Sequence, residues 1–447
     1  MPTLTDNSAE LDGWKAIANH LRVSVRTAQN FEKEHDLPVR RRFGIKAPVY
    51  ALVSELDEWV ENQRASTGQL PSPAPQEPPR GEIGETSRFR APRRFWRLTA
   101  AALVLAALAA GVAYLGQRPH GLPVALAVQD QNLVVRNADG QDLWRFTFPF
   151  VPNSEFYHPN SLERHTWIGD LGDSGKTSVL VLFQPADFTQ KTHRLYCFSE
   201  SGQLLWEFVP GRTVTDAHGF VMAPPYYVRE ISVLKGKKPE DTRIAVASVN
   251  YAGQAGQIAF LDALGRVRGE YWHPGHLSHL AQVDVDGEGK NELLAGGANN
   301  AEHDATLVVL DPLQINGCST PRSVLDPALR LMNIPEAHEK AVILFARGCV
   351  GKFSPYIRIK HLWVTASRIV ATVVDDYSEV NPAAINYEFD HRLNLVAMTP
   401  MPQYRENHLA MEQAHKLDHH YDEKREMEDL RERMVIRWGA SGTEPRP

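Results

Sequence analysis

The sequence predicts a multidomain protein with a small α+β domain, one transmembrane helix and a larger all-β domain that ends in a helix. Three observations support this prediction. An uncharged apolar run lies near residue 100, a short helical pattern precedes it, and repeated strand-and-turn patterns follow it. The 447 residues are enough for two or three domains.

The apolar run LTAAALVLAALAAGVAYLG extends from Leu98 to Gly116. A helix rises about 1.5 Å per residue, so this length spans a hydrocarbon layer of roughly 30 Å. Five arginines lie between residues 88 and 97, whereas the next basic residues after the run are Arg118 and Arg136. Because basic residues favour the cytoplasmic side, we predict a transmembrane helix over 96–117 in the inner membrane. The C-terminal domain would then be periplasmic. A signal peptide and a buried core helix are the alternatives.

The overall charge identifies no partner, since 48 basic side chains face 54 acidic ones. The local distribution is more informative. Between Arg22 and Lys46 there are seven basic residues and three acidic ones. A local excess of positive charge is typical of a surface that contacts nucleic acid.

The spacing of apolar residues in residues 1–66 predicts a helix over 11–20, a second helix from Val25, a basic hairpin around Gly44, and a closing helix from Ser54. Two short helices joined by a tight turn form a helix-turn-helix pattern. The segments GWKAIANHL, SVRTAQNFEKEHDLPVRR and VYALVSELDEWV resemble the winged helix-turn-helix domains of the MerR/excisionase type over residues 11–64.

This resemblance implies that the protein binds double-stranded DNA. It implies that the major groove is contacted by Ser24, Arg26, Thr27 and Asn30. It also implies that phosphates are contacted by Arg40, Arg41, Arg42 and Lys46. The alternative is that the three consecutive arginines form a solvated edge and that the module binds a protein. Residues 67–95 are rich in proline and polar residues, which predicts a disordered linker.

Beyond Gly121 the sequence contains short strands separated by turns. The segments NADGQDLWRF, SESGQLLWEF and DALGRVRGEYW repeat, with turn glycines at Gly140, Gly202 and Gly265, and a degenerate copy lies near residue 390. The copy expected near residue 327 is not visible. Repeat units of about four strands are typical of propeller blades, so we predict a propeller-like domain over 122–403.

A second repeated element, AQVDVDGEGKNELLAGG at 281–297, resembles the FG-GAP propeller repeat. The resemblance implies a Ca²⁺ site formed by the carboxylates of Asp284, Asp286, Glu288 and Glu292 and the Lys290 carbonyl. The alternative is an acidic turn without metal. The earlier copy keeps Asp170 but lacks the other carboxylates, which predicts a turn without metal.

Several histidines and cysteines follow the apolar run. His276 and His279 precede the acidic loop and could face a central channel, as metal ligands or as hydrogen-bonding spacers. His415 and His419 stand four residues apart with Glu412 a turn earlier, which resembles a set of metal ligands. The alternative, which we prefer, is that the charged segment 404–438 is a solvated helix that packs along the propeller or against a second protomer. Among the three cysteines, Cys318 with Cys349 is the more plausible pair, which leaves Cys197 as a buried strand thiol.

These features predict a membrane-anchored transcriptional regulator that is not an enzyme, with a propeller that senses an outer ligand or protein. A homodimer fits the paired half-sites that such DNA-binding domains contact. One alternative is a propeller enzyme, either a hydrolase or a lyase, although no G-x-S-x-G, HExxH or P-loop motif is present. The other is an adaptor whose N-terminal domain binds a protein.

Overall fold

The computed structural model describes residues 10–21, 23, 25–34, 37–41, 49–67, 120–187, 190, 192–250, 255–319, 331–375 and 382–439. The chain divides into two compact units, Met1–Arg97 and Leu98–Pro447. Each unit has its own hydrophobic core and is described by itself.

The N-terminal unit is a small α+β arrangement. Its elements are β1 (Glu10–Asp12), α1 (Gly13–His20), α2 (Val25–Glu34), β2 (Arg40–Arg41), β3 (Val49–Leu52) and α3 (Val53–Thr67). The three strands form an antiparallel sheet in the order β1-β3-β2. Apolar residues on α1, α3 and the sheet meet in one core, formed by Ile17, Leu37, Val49, Ala51 and Leu56.

The helices that the structure describes do not support the prediction of a single-pass membrane protein. Within those residues, no helix is both long enough and apolar enough to cross a membrane. The longest, α3, has 15 residues and carries Glu55 in its first turn, so it extends only about 22 Å. Residues 68–119, which include the predicted span and nearly all of the predicted linker, lie outside the described residues.

The second unit is built from consecutive antiparallel sheets. The first sheet contains β4 (Ala125–Gln129), β5 (Asn132–Arg136) and β6 (Asp142–Thr147). A short helix, α4 (Leu162–His165), leads into the second sheet. That sheet contains β7 (Thr166–Gly169), β8 (Ser178–Phe183), β9 (Arg194–Ser199) and β10 (Leu204–Phe208). A two-stranded ribbon of β11 (Val214–Thr215) and β12 (Val221–Met222) follows.

Three further sheets complete this unit. The third contains β13 (Tyr226–Leu234), β14 (Arg243–Asn250), β15 (Gly256–Leu261), β16 (Val267–His273) and the parallel β20 (Gly317–Cys318). The fourth contains β17 (Gly275–Val283), β18 (Glu292–Asn299), β19 (Asp304–Leu310), β21 (Ala341–Phe345) and β26 (Val435–Trp438). The fifth contains β22 (Ile357–Val364), β23 (Ile369–Asp375), β24 (Ala384–Phe389) and β25 (Leu395–Pro400).

The repeated turns explain how neighbouring sheets dock. The side-chain oxygens of Asn137, Asp262 and Asp390 each accept two backbone N–H groups and so close the last hairpin of a sheet. The Trp144 indole donates to the carbonyl of Glu200, and the Trp206 indole donates to that of Ala263. Each tryptophan thus binds the turn of the following sheet. This contact supports the predicted propeller-like arrangement.

The described chain is predominantly β, and the combined prediction of a winged helix-turn-helix domain, a transmembrane helix and a propeller is contradicted as a fold class. The central strands β8, β14, β15 and β18 are buried over nearly their whole length. Sheets that are covered on both faces exclude water from such strands, which therefore contain continuous runs of Val, Leu, Ile and Ala. Most of the chain's buried apolar surface lies between these sheets.

The charged segment predicted as one helix over 404–438 instead contains α5 (Pro402–Gln413), α6 (Glu423–Arg433) and β26. The break follows Gln413, where His415 adopts a positive φ of 54° that a helix does not allow. All three cysteines are free thiols, so the predicted pairing of Cys318 with Cys349 is not formed. Cys197 is buried on β9.

Candidate active site on the inner strands

The first strands of the last three sheets, β13, β17 and β22, lie side by side. Each has a β-bulge at a corresponding place, between Val228 and Glu230, between Leu277 and His279, and between Ile359 and His361. A bulge re-aims the side chains beside it. The residue after each bulge is a titratable one, and these residues form the core of a cluster on the inner strands.

Glu230 is the acidic residue of this cluster. It is only 6% exposed, and its Oε2 atom has no hydrogen-bond partner. Burial raises the pKa of the Glu230 carboxyl to about 8, although the charge of Arg164 and a hydrogen bond from the Leu280 backbone oppose this rise. Glu230 is therefore largely protonated at neutral pH and can donate a proton.

His279 faces Glu230 from the neighbouring strand. Its Nδ1 atom lies 3.8 Å from Oε2 of Glu230 and also has no hydrogen-bond partner. The His279 and His361 ring centroids are 6.4 Å apart. Burial, together with the charges of Arg164, His361, Arg358 and Arg229, lowers the pKa of His279 to about 3. The imidazole is thus neutral over the physiological range.

Three arginines lie close enough to His279 for their charges to lower its pKa, and with Glu230, His279 and His361 they make up what we call the inner-strand cluster. Arg164 lies in the last turn of α4, Arg229 lies within the bulge of β13, and Arg358 lies on β22. Partial desolvation by the surrounding protein and the adjacent charge of Arg358 lower the pKa of Arg229, although the residue itself is exposed to solvent. Within the described residues, neither Arg164 nor Arg229 has a carboxylate within ion-pair distance. The cluster therefore carries excess positive charge and suits an anionic group.

The sequence had predicted His279 as a candidate facing a central channel, but it did not indicate Glu230, His361 or the arginines. The segments VREI, LSHL and IKHL each contain a bulge residue followed by the titratable residue, and an apolar residue stands on each side of these two. Their spacing along the chain is unequal, because residues 311–340 lengthen the fourth sheet's connection. A fixed repeat could not reveal the correspondence. It becomes visible only when the bulges are aligned.

The residues predicted to contact DNA are only partly described. Arg26, Thr27 and Asn30 lie on α2, and Arg40 and Arg41 lie on β2. Ser24, Arg42 and Lys46 lie outside the described residues. The Arg40 guanidinium lies 2.5 Å from the Glu55 carboxylate on the following helix. This ion pair is exposed to solvent, and a phosphate contact of Arg40 stays a prediction.

The predicted calcium ligands are better defined. Oxygen atoms of Asp284, Asp286 and Glu292 lie within 4.8 Å of one another. Both Asp284 oxygens accept backbone N–H groups, from Gly287 and Gly289. The carbonyl of Glu288 accepts from Lys237, and Glu288 and Lys290 border the adjoining pocket.

A lysine ammonium lies between two of these carboxylates. The Lys340 Nζ atom is 2.6 Å from Asp286 Oδ2 and 2.7 Å from Glu292 Oε1. The Glu292 side chain is only 4% exposed, and burial raises its pKa despite the hydrogen bond from Lys340. This ammonium provides the compensating positive charge that a Ca²⁺ ion would otherwise supply. Calcium binding at the loop stays a prediction.

No protein-family model matches this chain, and no curated protein matches it either. Solved structures with a similar arrangement include an exo-β-1,3-galactanase from Phanerochaete chrysosporium, with 10% identity and a TM-score of 0.27. A GH43 β-1,3-galactosidase with galactodeoxynojirimycin gives the same identity and TM-score over 62% of this chain and 87% of its own. BBS1N in complex with ARL6DN gives 11% identity and a TM-score of 0.27 over 64% and 84%. The match to the Phanerochaete enzyme covers 60% of this chain and about half, 55%, of that enzyme.

None of these three proteins is described as a membrane-anchored DNA-binding regulator. The prediction of a non-enzymatic, inner-membrane regulator with DNA and membrane as partners is supported neither by these comparisons nor by the helices of the described residues. Identities near 10% with TM-scores of 0.27 carry no argument about the fold or the activity of this chain. The chemistry of this chain is therefore argued from its own residues.

Proposed function

We propose that the inner-strand cluster is the active site of a propeller-like enzyme that cleaves a negatively charged substrate, as a hydrolase or a lyase. The observation that carries this proposal is the convergence of Arg164, Arg229 and Arg358 on the Glu230–His279 pair. Such a group combines an anion-binding surface with a proton donor.

The arginines supply substrate binding. A guanidinium presents a planar fork of N–H donors that matches the oxygens of a carboxylate, phosphate or sulfate. Arg164 and Arg229 have no acidic partner among the described residues, so an external anion would satisfy them without breaking an existing ion pair. A neutral substrate would instead leave the charges of Arg164 and Arg229 without a counter-charge, which costs free energy.

Glu230 supplies the proton. When the bond to the leaving group breaks, the Glu230 carboxyl transfers its proton to the departing oxygen and becomes a carboxylate. The charge of Arg164 stabilises that carboxylate. In hydrolysis the attacking water forms the new bond and releases one proton, and in elimination the substrate releases one, and this proton restores the acid. The neutral His279 can accept a hydrogen bond at Nδ1 from an attacking water or from a substrate hydroxyl.

The experiment compares 4-nitrophenyl β-galactoside with 4-nitrophenyl β-glucuronide, phosphate and sulfate. We expect turnover of at least one charged substrate and none of the neutral galactoside. Arg229→Gln should raise KM for the charged substrate about tenfold or more, because a charge-assisted contact is lost. Arg392→Gln is the matched control, since Arg392 lies exposed in the turn between β24 and β25.

The role of Glu230 is tested with two leaving groups. Methoxide needs protonation in order to leave, as methanol, whereas 4-nitrophenolate departs without it. Glu230→Gln should therefore slow cleavage of the methyl compound by about 10²–10⁴-fold and that of the nitrophenyl compound far less. Equal loss with both compounds would exclude a general acid role. Failure of the wild-type protein to turn over any charged substrate or to bind phosphate or sulfate would refute the proposal.

A further inference from the structure

A second cluster of ligating side chains lies between the fourth sheet and the C-terminal helices, apart from the inner strands. Cys349 follows β21, His408 lies on α5, His419 lies in the connection after it, and Glu426 lies on α6. Their candidate ligand atoms all lie within 4.8 Å of one another. Four elements of the fold thus bring a thiol, two imidazoles and a carboxyl to one point.

The two histidines have the relative geometry of ligands of one ion. Their Nε2 atoms face each other at 3.3 Å. Two nitrogens that each lie about 2.0–2.1 Å from a tetrahedral Zn²⁺ are separated by about 3.3–3.4 Å. The observed separation therefore leaves the correct space for a zinc ion between the rings.

Each histidine also has a carboxylate beside its other nitrogen. His408 Nδ1 lies 3.0 Å from Glu412 Oε1, and His419 Nδ1 lies 3.0 Å from Asp418 Oδ1. Metal-binding histidines commonly have a carboxylate next to the nitrogen that does not bind the metal, which orients the ring and increases its basicity. A carboxylate thus lies beside each ring, although His408 Nδ1 forms no hydrogen bond among the described residues, and the two Nε2 atoms face each other.

The remaining two ligands converge on the same point. Tyr404 donates to Oε2 of Glu426 at 2.6 Å, whereas the buried Oε1 has no hydrogen-bond partner although it lies 2.8 Å from His408 Nε2. The Cys349 thiol lies 3.0 Å from Glu426 Oε2. A buried carboxylate oxygen close to a ring nitrogen without a hydrogen bond is explained if both atoms face a cation.

We propose that Cys349, His408, His419 and Glu426 bind one Zn²⁺ ion that fastens the two C-terminal helices to the fourth sheet. Sulfur, imidazole nitrogen and carboxylate oxygen are the three ligand types that zinc accepts in proteins. A cavity of 330 Å³ borders the cluster and gives the ion a path from solvent. His419, whose side chain is 40% exposed, lies at this open side.

The test uses the full-length protein, purified without added metal and then given zinc. Elemental analysis should find one zinc per chain. Removal of zinc with a chelator should lower the melting temperature by about 5 °C or more, and zinc alone should restore it. Cobalt in place of zinc should give the visible spectrum of a tetrahedral site together with a thiolate-to-cobalt charge-transfer band.

The variants separate this site from a chance surface site. His419→Ala and Cys349→Ser should lose stoichiometric zinc, and Cys349→Ser should lose the charge-transfer band. His415→Ala is the matched control, because His415 lies in the same connection but outside the cluster, and it should keep both. If His415→Ala loses zinc as His419→Ala does, or if wild-type protein binds less than stoichiometric zinc and is indifferent to chelator, the proposal is wrong. The cobalt spectrum of wild-type protein decides the question even if a variant fails to fold.

Discussion

Oε2 of Glu230 and Nδ1 of His279 face each other at 3.8 Å across two adjacent inner strands, and neither atom has a hydrogen-bond partner in the part of the chain that the structure describes. Leaving buried polar atoms unpaired costs about 1–3 kcal/mol each. A folded protein keeps such a pair where a ligand later satisfies it or where the groups act in chemistry. The bulges beside these two residues interrupt the hydrogen-bond ladders of their sheets, and they re-aim the two side chains.

The pH dependence of cleavage follows from the pKa of Glu230. Since burial raises this pKa to about 8, the acid form predominates at neutral pH and disappears above pH 8. We expect kcat/KM for a substrate that releases methanol to fall about tenfold per pH unit above pH 8. Glu230→Gln should lack this limb while keeping any limb that belongs to the substrate. A pH profile of the variant that matches the wild-type profile in shape would contradict the assignment.

The same shift predicts how stability varies with pH. The ordinary pKa of a glutamate is 4.5, and in the folded protein it is about 8. The folded state therefore holds a proton that the unfolded state releases, so stability from Glu230 is fully present below pH 4.5 and is lost as the pH rises towards 8. The free energy of unfolding of wild-type protein should fall relative to that of Glu230→Gln by several kcal/mol between pH 5 and 8. Urea denaturation of both proteins at each pH measures this difference, and parallel curves would refute it.

The sequence predicts the sheets better than it predicts either cluster. Asn137, Asp262 and Asp390 close the repeated turns because an Asx side chain binds its own backbone, which is a local property that a sequence pattern records. Neither cluster has a local pattern of this kind. Cys349 and Glu426 lie 77 positions apart, and their meeting depends on how the C-terminal helices pack.

The C-terminal histidines illustrate the same limit. Helical spacing grouped His415 with His419, but α5 ends at Gln413, so the two do not share a helix face. The structure pairs His419 with His408 instead.

The apolar run near residue 100 was the basis of the predicted membrane topology, but it lies outside the described residues. The predicted localisation and the membrane as a partner both rested on this one segment.

The docking of neighbouring sheets can be tested at two turn glycines. Gly202 and Gly140 both have positive φ, of 83° and 76°. A Cβ atom at Gly202 would lie 2.7 Å from the Trp144 indole, whereas one at Gly140 would meet nothing within 4 Å. Gly140→Ala should cost about 1 kcal/mol for the backbone alone, and Gly202→Ala about 2–4 kcal/mol because the indole must move as well. Urea denaturation checks both, and equal losses would mean that Trp144 does not fix the second sheet against the first.

The acidic loop at 284–292 offers the last prediction, in which a lysine and a calcium ion compete for one position. Lys340 donates to Asp286 and to the buried Glu292. Lys340→Met should cost about 2–4 kcal/mol, because it leaves adjacent carboxylates without a cation. Ca²⁺ binds such oxygen atoms, so millimolar calcium should raise the melting temperature of Lys340→Met by several degrees and that of wild-type protein by much less. Lys237→Met is the matched control, since Lys237 contacts only a backbone carbonyl of the loop, that of Glu288, and it should respond to calcium as wild-type protein does. A Lys340→Met protein that calcium does not stabilise would show that the loop is an acidic turn held by its own hydrogen bonds and by Lys340.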